Sequence, residues 1–153
     1  VAVNERIKGR SIERVREAVD NDLKGKVVAV LGLSFKPETD DMRDSATIPL
    51  IETLISEGAK VRAFDPEAME NAQLLLPDAV EYCDDSNDAA SGADALVIAT
   101  EWNQFRSLHM DRIRDLLNAP VVVDLRNVYD PKRMREQGFS YFSVGRAAED
   151  LPE

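Results

Sequence analysis

Two basic residues stand just before the start of a predicted helix, where a cation is electrostatically unfavourable. Lys36 and Arg43 belong to Gly32–Arg43, GLSFKPETDDMR, and Ser45 and Thr47 are suitable N-caps for the helix that follows. The free N–H groups and the positive dipole end of a helix N-terminus attract anions. A bound anion between those groups and the cations would explain the arrangement. The alternative is a solvated loop in which both cations balance nearby acidic residues, and the charge pattern leaves both interpretations open.

The elements on either side of this segment indicate that it is a ligand-binding loop. Lys26–Leu33, KVVAVLGL, is almost wholly apolar, as expected for a strand buried on both faces of a parallel sheet. In Ile48–Ser56, apolar residues recur three and four positions apart, which is typical of a helix packed on that sheet. A β-to-α connection usually takes about 2 to 6 residues, and this one is longer. We therefore expect the extra length to bind a ligand.

The whole chain alternates short apolar runs with helical segments, which predicts an α/β fold with a Rossmann-like, doubly wound parallel sheet of about six strands. An amphipathic pattern over Ala2–Leu23 predicts a connector helix in front of the sheet. The predicted strands are Val27–Leu31, Lys60–Phe64, Val80–Tyr82, Ala95–Ala99, Val121–Asp124 and Ser140–Ser143. The predicted helices are Ile48–Glu57, Glu67–Leu75, Ser86–Ser91, Met110–Asn118 and Pro131–Gln137. We expect a connector at residues 1–24, a ligand-binding domain at 25–146 and a tail at 147–153.

In a doubly wound sheet, ligands bind outside the carboxyl ends of the strands, near the point where the strand order reverses. This rule selects Phe35 and Lys36 after the first strand, Trp102 after the fourth and Arg126 after the fifth. Two cations beside two aromatic rings suit a nucleotide diphosphate, because the rings can cover its base or sugar. Two of these residues also have structural interpretations. Trp102 could pack in the core, and Arg126 could form an ion pair with Asp124.

A dinucleotide site is the default for this architecture, and the first turn matches it only in part. Gly32 is followed by Leu33, Ser34 and Phe35, where glycines would let the backbone approach a pyrophosphate. Asp65, after the second strand, imitates the acid that binds a ribose, although Asp-Pro is also an ordinary turn. We give the missing glycines more weight than the acid.

Composition and charge limit which binding partners and which kinds of catalytic site the chain could have. A net charge of −10 and a pI near 4.6 argue against nucleic acid or an anionic membrane as a partner, and no apolar run is long enough to span a membrane. The single cysteine, Cys83, excludes an internal disulfide and fits a reducing, cytoplasmic location. We assign no catalytic residue and no metal site. His109 is expected to cap a helix or lie exposed, Cys83 has no nearby histidine, and the loop acids lack a metal-binding spacing.

Four segments in collinear order carry a family resemblance. They are GLSFKPETDDMRDS at Gly32–Ser45, FDPEAMENA at Phe64–Ala72, ATEWNQF at Ala99–Phe105 and VVDLRNVYDP at Val122–Pro131. Together they resemble the C-terminal UDP-binding domain of the UDP-glucose/GDP-mannose dehydrogenase family, from about Gly25 to Gly145. The bacterial UDP-glucose 6-dehydrogenase pattern fits best.

The resemblance implies a part of an enzyme that oxidises UDP-glucose to UDP-glucuronate with two NAD⁺. In that family the UDP-binding domain follows an NAD domain and a central dimerisation helix, and the catalytic cysteine lies in a segment like Gly-Gly-Ser-Cys-Phe-Pro-Lys. This chain lacks that segment, and Cys83 is not its counterpart. The chain thus resembles the substrate-anchoring third of a homodimeric enzyme. We expect it to be inactive alone, with NAD bound mainly by a domain that it does not contain.

The matching motifs also imply roles for individual residues. Phe35, Lys36 and Arg126 match family residues that contact the UDP-sugar, and Arg43 matches an arginine that reaches NAD. In one departure, Leu125 stands where the family often has glycine before the arginine.

Three other functions stay open at this point. The chain could be a stand-alone nucleotide-sugar sensor or interaction module that kept the fold without an enzyme. It could belong to a related UDP-N-acetylmannosamine or GDP-mannose dehydrogenase. It could also be a Rossmann domain that binds NAD itself.

Overall fold

The alternating apolar and helical segments form an α/β sandwich. The computed structural model describes residues 11–33, 47–100 and 102–143. Its strands are β1 (Val27–Leu31), β2 (Lys60–Phe64), β3 (Glu81–Tyr82), β4 (Ala95–Ile98), β5 (Val121–Asp124) and β6 (Ser140–Ser143). Its helices are α1 (residues 11–18 of the described chain), α2 (Thr47–Ser56), α3 (Met69–Leu75), α4 (Ser86–Ala90), α5 (Asn103–Arg106), α6 (Met110–Leu116) and α7 (Pro131–Glu136).

The strands form one parallel sheet in the order β3-β2-β1-β4-β5-β6. This is the doubly wound Rossmann order, so the predicted fold class is confirmed. The chain moves outward from β1 to β3, returns to β4 beside β1, and then moves outward on the other side to β6. The strand order therefore reverses between β1 and β4, and the crevice at their carboxyl ends is the expected ligand site.

Both faces of the sheet are covered, as the apolar sequence of β1 predicts. Val28 and Val30 of β1 belong to one core cluster, which is closed by α1, α2 and α3. Ala29 and Leu31 belong to the other, which is closed by α4 to α7. Because successive side chains of a strand point to opposite faces, one strand joins both cores. In the described part of the chain, no helix is long and apolar enough to cross a membrane.

Most predicted elements are present with small shifts in their bounds. β3 is one residue shorter than predicted, β4 ends at Ile98, and each predicted helix differs by one or two residues at an end. The helix Asn103–Arg106 was not predicted, because four residues are too few to show a helical repeat. At the carboxyl edge of the sheet, the end of β4 moves by one residue.

The connector helix is only partly as predicted. The expected start of the helix, residues 2–10, lies outside the described residues. The described helix ends at residue 18 rather than at Leu23, because Asp20 and Asn21 adopt left-handed backbone angles, with φ of 57° and 61°. Val15 and Val19 nevertheless lie buried against the sheet. This end of the connector is therefore packed on the domain.

Candidate functional site

The site starts where β1 and β4 end side by side. Gly32 has a φ of +97°, and a Cβ atom there would lie 2.5 Å from the Cβ and 2.7 Å from the backbone nitrogen of Thr100. Thr100 is fully buried. Only glycine fits both the backbone angle and the space. The chain that leaves β1 thus passes directly against the chain that leaves β4, and this close approach sets the floor of the crevice.

Asp65 fixes the chain on one side of the crevice. Its carboxylate is 1% exposed and accepts the Leu33 N–H at 2.7 Å on Oδ2, and the N–H groups of Glu67 and Ala68 at 2.8 Å on Oδ1. These bonds join the end of β1 to the turn that leads into α3. The interpretation of Asp65 as a turn residue is therefore confirmed. Its carboxylate is used to hold the backbone from which the predicted ligand loop departs.

Asp124, at the end of β5, fixes the chain on the other side of the crevice. It is fully buried, and its Oδ1 accepts the Arg126 N–H at 3.1 Å while its Oδ2 accepts the Tyr129 N–H at 2.9 Å. The Tyr141 hydroxyl donates to the same Oδ2 at 2.6 Å. A buried carboxylate is stable only when its oxygens are well supplied with donors, as they are here. The turn after β5 is thereby closed around one acid.

Arg126 lies exposed on this turn, at the carboxyl edge of the sheet. Its backbone N–H bonds to Asp124, and its side-chain Nε–H donates to the Ala99 carbonyl at 3.2 Å. The bond between Arg126 and Asp124 that the structure shows runs through the backbone, in place of the side-chain ion pair considered from sequence. The guanidinium is instead anchored at the end of β4, beside the point where the strand order reverses.

Leu125 fits the turn without strain. Its N–H continues the β4–β5 ladder by donating to the Ile98 carbonyl at 2.9 Å. The left-handed angle in this turn falls on Asn127, with φ of 55°. Asparagine tolerates that conformation better than most residues. Leucine in place of the family's glycine is therefore compatible with the position of Arg126.

Trp102 is a packing residue. Its side chain is 8% exposed and belongs to the core cluster that contains Phe64 and Phe105. Its indole Nε1 is buried and has no hydrogen-bond partner among the described residues. The interpretation as a core residue is confirmed, and the ring is not available as an open stacking surface.

The remaining predicted site residues lie outside the described residues. Phe35, Lys36 and Arg43 all belong to the segment 34–46, which follows Leu33. Their predicted roles stay predictions. What the structure establishes is the point from which that segment departs, which Gly32 and Asp65 fix at the carboxyl end of β1.

The two residues considered for nucleophilic or acid–base chemistry lie on separate elements, after β3 and at the start of α6. His109 is exposed at the N-cap position of α6 and makes no side-chain capping bond there. Cys83 is 2% exposed, and burial raises the pKa of its thiol while a hydrogen bond with Arg62 opposes that rise. A buried thiol of raised pKa is a poor nucleophile. Among the described residues, no group of His, Cys, Asp or Glu side chains is arranged to hold a metal ion.

Sequence reasoning missed Tyr141 and Tyr129, which complete the Asp124 cluster. Tyr141 donates from β6, and the Tyr129 hydroxyl donates to the Phe105 carbonyl. Burial raises the pKa of Tyr129, so it stays a neutral donor. A buried tyrosine needs a partner for its hydroxyl, and Asp124 closes a fully apolar strand. The sequence therefore offered a buried acid and tyrosines that needed partners. Only the pairing of β5 with β6 shows that Tyr141 and Asp124 are partners.

A separate cavity of about 380 Å³ borders the same turn on its helical side. Its walls come from α5, α6, α7 and the loop between β5 and α7, with Arg106 and Arg133 among the polar groups. Because its walls contain no residue of β1 or β4, it is distinct from the crevice between those strands.

Comparisons with known proteins agree with this geometry. The sequence model described as "UDP-glucose/GDP-mannose dehydrogenase family, UDP binding domain" matches residues 29–131. A UDP-glucose 6-dehydrogenase from Rhizobium meliloti is 47% identical over 146 residues, which cover 95% of this chain and 33% of that protein. The chain thus spans about a third of the length of the curated relatives it matches.

Two solved structures share the fold over 95% of this chain. A UDP-glucose dehydrogenase from Pyrobaculum islandicum superposes with a TM-score of 0.77 at 34% identity, and 31% of its chain is covered. A UDP-D-ManNAc dehydrogenase from Pyrococcus horikoshii superposes with the same TM-score of 0.77 at 27% identity, and 32% of its chain is covered. In each case the match is to one part of a longer dehydrogenase.

Proposed function

This chain belongs to the UDP-glucose/GDP-mannose dehydrogenase family, whose UDP binding domain it matches, and we propose that it anchors the UDP moiety of UDP-glucose in an NAD-dependent UDP-glucose 6-dehydrogenase. The observation that carries the proposal is the position of Arg126. Its guanidinium is fixed at the carboxyl ends of β4 and β5, beside the crevice where a doubly wound sheet binds ligands.

The side chains at the carboxyl edge of the sheet suit a diphosphate ligand. Arg126 offers a planar set of N–H donors that matches phosphate oxygens, and Lys36 would add a second positive charge from the segment after Leu33. Phe35, next to Lys36, would supply an apolar face for the base or sugar. In a chain of net charge −10, such local cations are needed to attract an anionic ligand.

The domain would contribute binding rather than bond making. Oxidation of the sugar C6 alcohol to a carboxylate removes four electrons, which two NAD⁺ accept as two hydrides. We assign the catalytic cysteine and the main NAD site to a part of the enzyme that this chain does not contain. Binding the non-reacting UDP end would hold C6 in place for that chemistry, which is how remote contacts assist catalysis.

The remaining features of the enzyme are proposed on the same basis. Arg43 would reach across to NAD from the segment 34–46. Residues 1–24 would end a central connector helix, residues 25–146 would form the UDP-binding domain, and residues 147–153 would form a tail. We further propose a homodimeric, cytoplasmic enzyme, consistent with a single buried cysteine.

The direct test replaces the predicted contacts in the intact dehydrogenase. Lys36→Ala and Arg126→Ala should each raise the KM for UDP-glucose at least about tenfold, since each removes a charge-assisted contact to phosphate. The KM for NAD⁺ should change little in either variant. Arg43→Ala should show the reverse pattern. Unchanged UDP-glucose kinetics in both of the first two variants would contradict the site assignment.

The identity of the sugar needs its own test, because one of the two solved relatives is a UDP-D-ManNAc dehydrogenase. The higher identity to UDP-glucose dehydrogenases favours glucose. Rates of NAD⁺ reduction with UDP-glucose, UDP-N-acetylmannosamine and GDP-mannose would decide. A preference for the second or third sugar would reject the proposed substrate while keeping the diphosphate site. An intact gene product without an NAD domain would instead indicate a stand-alone binding module.

A further inference from the structure

We propose that Tyr141 and Asp124 are positioning residues for Arg126: together they hold the turn after β5 in the conformation that presents the guanidinium to the diphosphate. This inference rests on the proposed function, because it assigns a role to Tyr141 only if Arg126 binds ligand. Neither residue would contact the substrate. Their effect would be exerted through the backbone of the turn.

The first step is the way in which Asp124 closes the turn. Its two oxygens accept the N–H groups of Arg126 and Tyr129, at 3.1 and 2.9 Å. The turn is thus tied to one carboxylate at both ends. The left-handed angle of Asn127, with φ of 55°, lies between these two bonds. Asparagine tolerates this conformation better than most residues, and the two bonds hold the turn on either side of it.

The second step is the tie from the turn to the edge of the sheet. Tyr141 lies on β6, is 7% exposed, and its hydroxyl is 2.6 Å from Asp124 Oδ2 and 3.1 Å from the Tyr129 carbonyl oxygen. One hydroxyl therefore reaches both the acid and the far end of the turn. Because β6 pairs with β5 in register, with Tyr141 opposite Val122, its position does not depend on the turn. Tyr141 therefore acts as a fixed reference point for the turn.

The third step relates the fixed conformation of the turn to the affinity for ligand. If the turn samples other conformations, the apparent Kd for ligand rises in inverse proportion to the fraction of molecules with Arg126 in place. Removing the Tyr141 hydroxyl takes one donor from a fully buried carboxylate, and the buried acid must then find another partner or move. The expected result is a loss of UDP affinity without a loss of catalytic chemistry.

The experiment is a double-mutant cycle in the intact dehydrogenase, with Tyr141→Phe, Arg126→Ala and the combined variant. UDP affinity is measured by calorimetry, and KM and kcat for UDP-glucose are measured by NAD⁺ reduction. Tyr82→Phe is the matched control, because Tyr82 lies on the opposite edge strand, β3, and its buried hydroxyl has no hydrogen-bond partner in the part of the chain that the structure describes. We expect Tyr82→Phe to leave UDP affinity unchanged.

Tyr141→Phe should weaken UDP binding about five- to tenfold and leave kcat within about twofold, while in the Arg126→Ala background it should change affinity by less than about twofold. Equal losses in both backgrounds would show a general structural role and overturn the inference. No loss in the wild-type background would also overturn it, while the proposed function would stand if Arg126→Ala weakens binding. If Arg126→Ala has no effect, both the assignment of Arg126 and this inference fail.

A measurement on the unmodified enzyme tests the inference even if a variant does not fold. Hydrogen exchange of the Arg126 and Tyr129 amides should be slow in the absence of ligand and change little when UDP is added, since both amides are already bonded to Asp124. Fast exchange that becomes slow only with UDP would show that the ligand orders the turn, and would overturn the inference.

Discussion

Two buried aspartates lie at the carboxyl ends of β2 and β5, on either side of the central β1–β4 pair. Their roles in the structure are related but different. Asp65 follows β2 and Asp124 ends β5, and they are 1% and 0% exposed. Each accepts backbone N–H groups from a turn at the carboxyl edge. Each also fixes a segment from which a predicted phosphate-binding cation extends.

The difference lies in which residue each acid holds. Asp65 holds Leu33, but Lys36 lies three positions further on, in the segment 34–46. Asp124 holds the Arg126 backbone directly, and the Arg126 side chain is bonded again at Ala99. Arg126 is thus pre-placed by the fold, whereas Lys36 lies outside the described residues.

This comparison shows why acidic residues at strand ends need not bind ligand themselves. Both carboxylates are used to organise backbone in a region where strands end and N–H groups lose their ladder partners. In the proposed function, the ligand is bound by neighbouring cations. Buried acids at the carboxyl edge of such a sheet are therefore better interpreted first as supports for the loops that bind.

The largest expected effect tests what the two acids share. Asp65→Ala and Asp124→Ala should each lower the free energy of unfolding by about 3–5 kcal/mol, because each leaves buried N–H donors unpaired. Urea denaturation measures the loss. Asp84→Ala, at an exposed acid, should stay within about 0.5 kcal/mol. A small effect at either buried acid would break the proposed equivalence.

The next effect concerns the close approach of Gly32 to Thr100, between the ends of β1 and β4. Gly32→Ala should cost about 3 kcal/mol, since the new Cβ would lie 2.5 Å from Thr100 as well as at a φ of +97°. Gly92→Ala is the control, because its φ is +77° but nothing lies within 4 Å of the added atom. It should cost only about 1 kcal/mol. Equal losses on urea denaturation would show that strain alone, without the contact to Thr100, explains glycine at the floor of the crevice.

A third prediction tests the placement of Arg126. Arg126→Lys should weaken UDP binding about tenfold with little change in stability, because lysine lacks both the Nε donor to Ala99 and the planar set of donors for phosphate. Calorimetric titration measures the affinity. Arg135→Lys, at an exposed arginine of α7, should leave it unchanged. If lysine at position 126 binds UDP as tightly as arginine, pre-placement by Ala99 is not important.

The smallest effect concerns the connector helix, which forms an ion pair with the turn that follows α2. Arg16 forms a two-point ion pair with Glu57, with Nε 3.0 Å from Oε1, and its side chain is 37% exposed. Arg16→Met should therefore cost less than about 1 kcal/mol at neutral pH, as measured by urea denaturation. A larger loss would mean that the pair stabilises the domain more than an exposed pair can.

The pH dependence of that loss has a defined sign. The hydrogen bond from Arg16 lowers the pKa of Glu57 below its ordinary value of 4.5, against a smaller opposing effect of burial. A carboxyl whose folded pKa is depressed stabilises the fold above its unfolded pKa and loses that contribution as pH falls through the folded pKa. The difference between Arg16→Met and wild type should thus shrink below about pH 4.5. A difference that persists in strong acid would point to packing by the arginine stem.

The strands and the carboxyl edge were predictable from sequence, but the cluster that supports Arg126 was not. The bounds of β1, β2, β5 and β6 are as predicted, because apolar runs ended by polar residues mark buried parallel strands. Of the two sequence-based interpretations of Trp102, packing in the core is the one that the structure shows. The pairing of Tyr141 with Asp124 joins residues 17 positions apart and depends on strand order, which no local pattern encodes.

The most direct test of the central claim is a titration of this chain with UDP, followed by the amide NMR signals of the described residues. The account predicts that the largest shifts fall at the carboxyl edge, at Leu33, Thr100 and Arg126. Residues at the opposite edge, such as Lys60 and Asn118, should not shift. Shifts centred on the α5–α7 cavity or on the amino edge, or no shifts at millimolar UDP, would contradict the account.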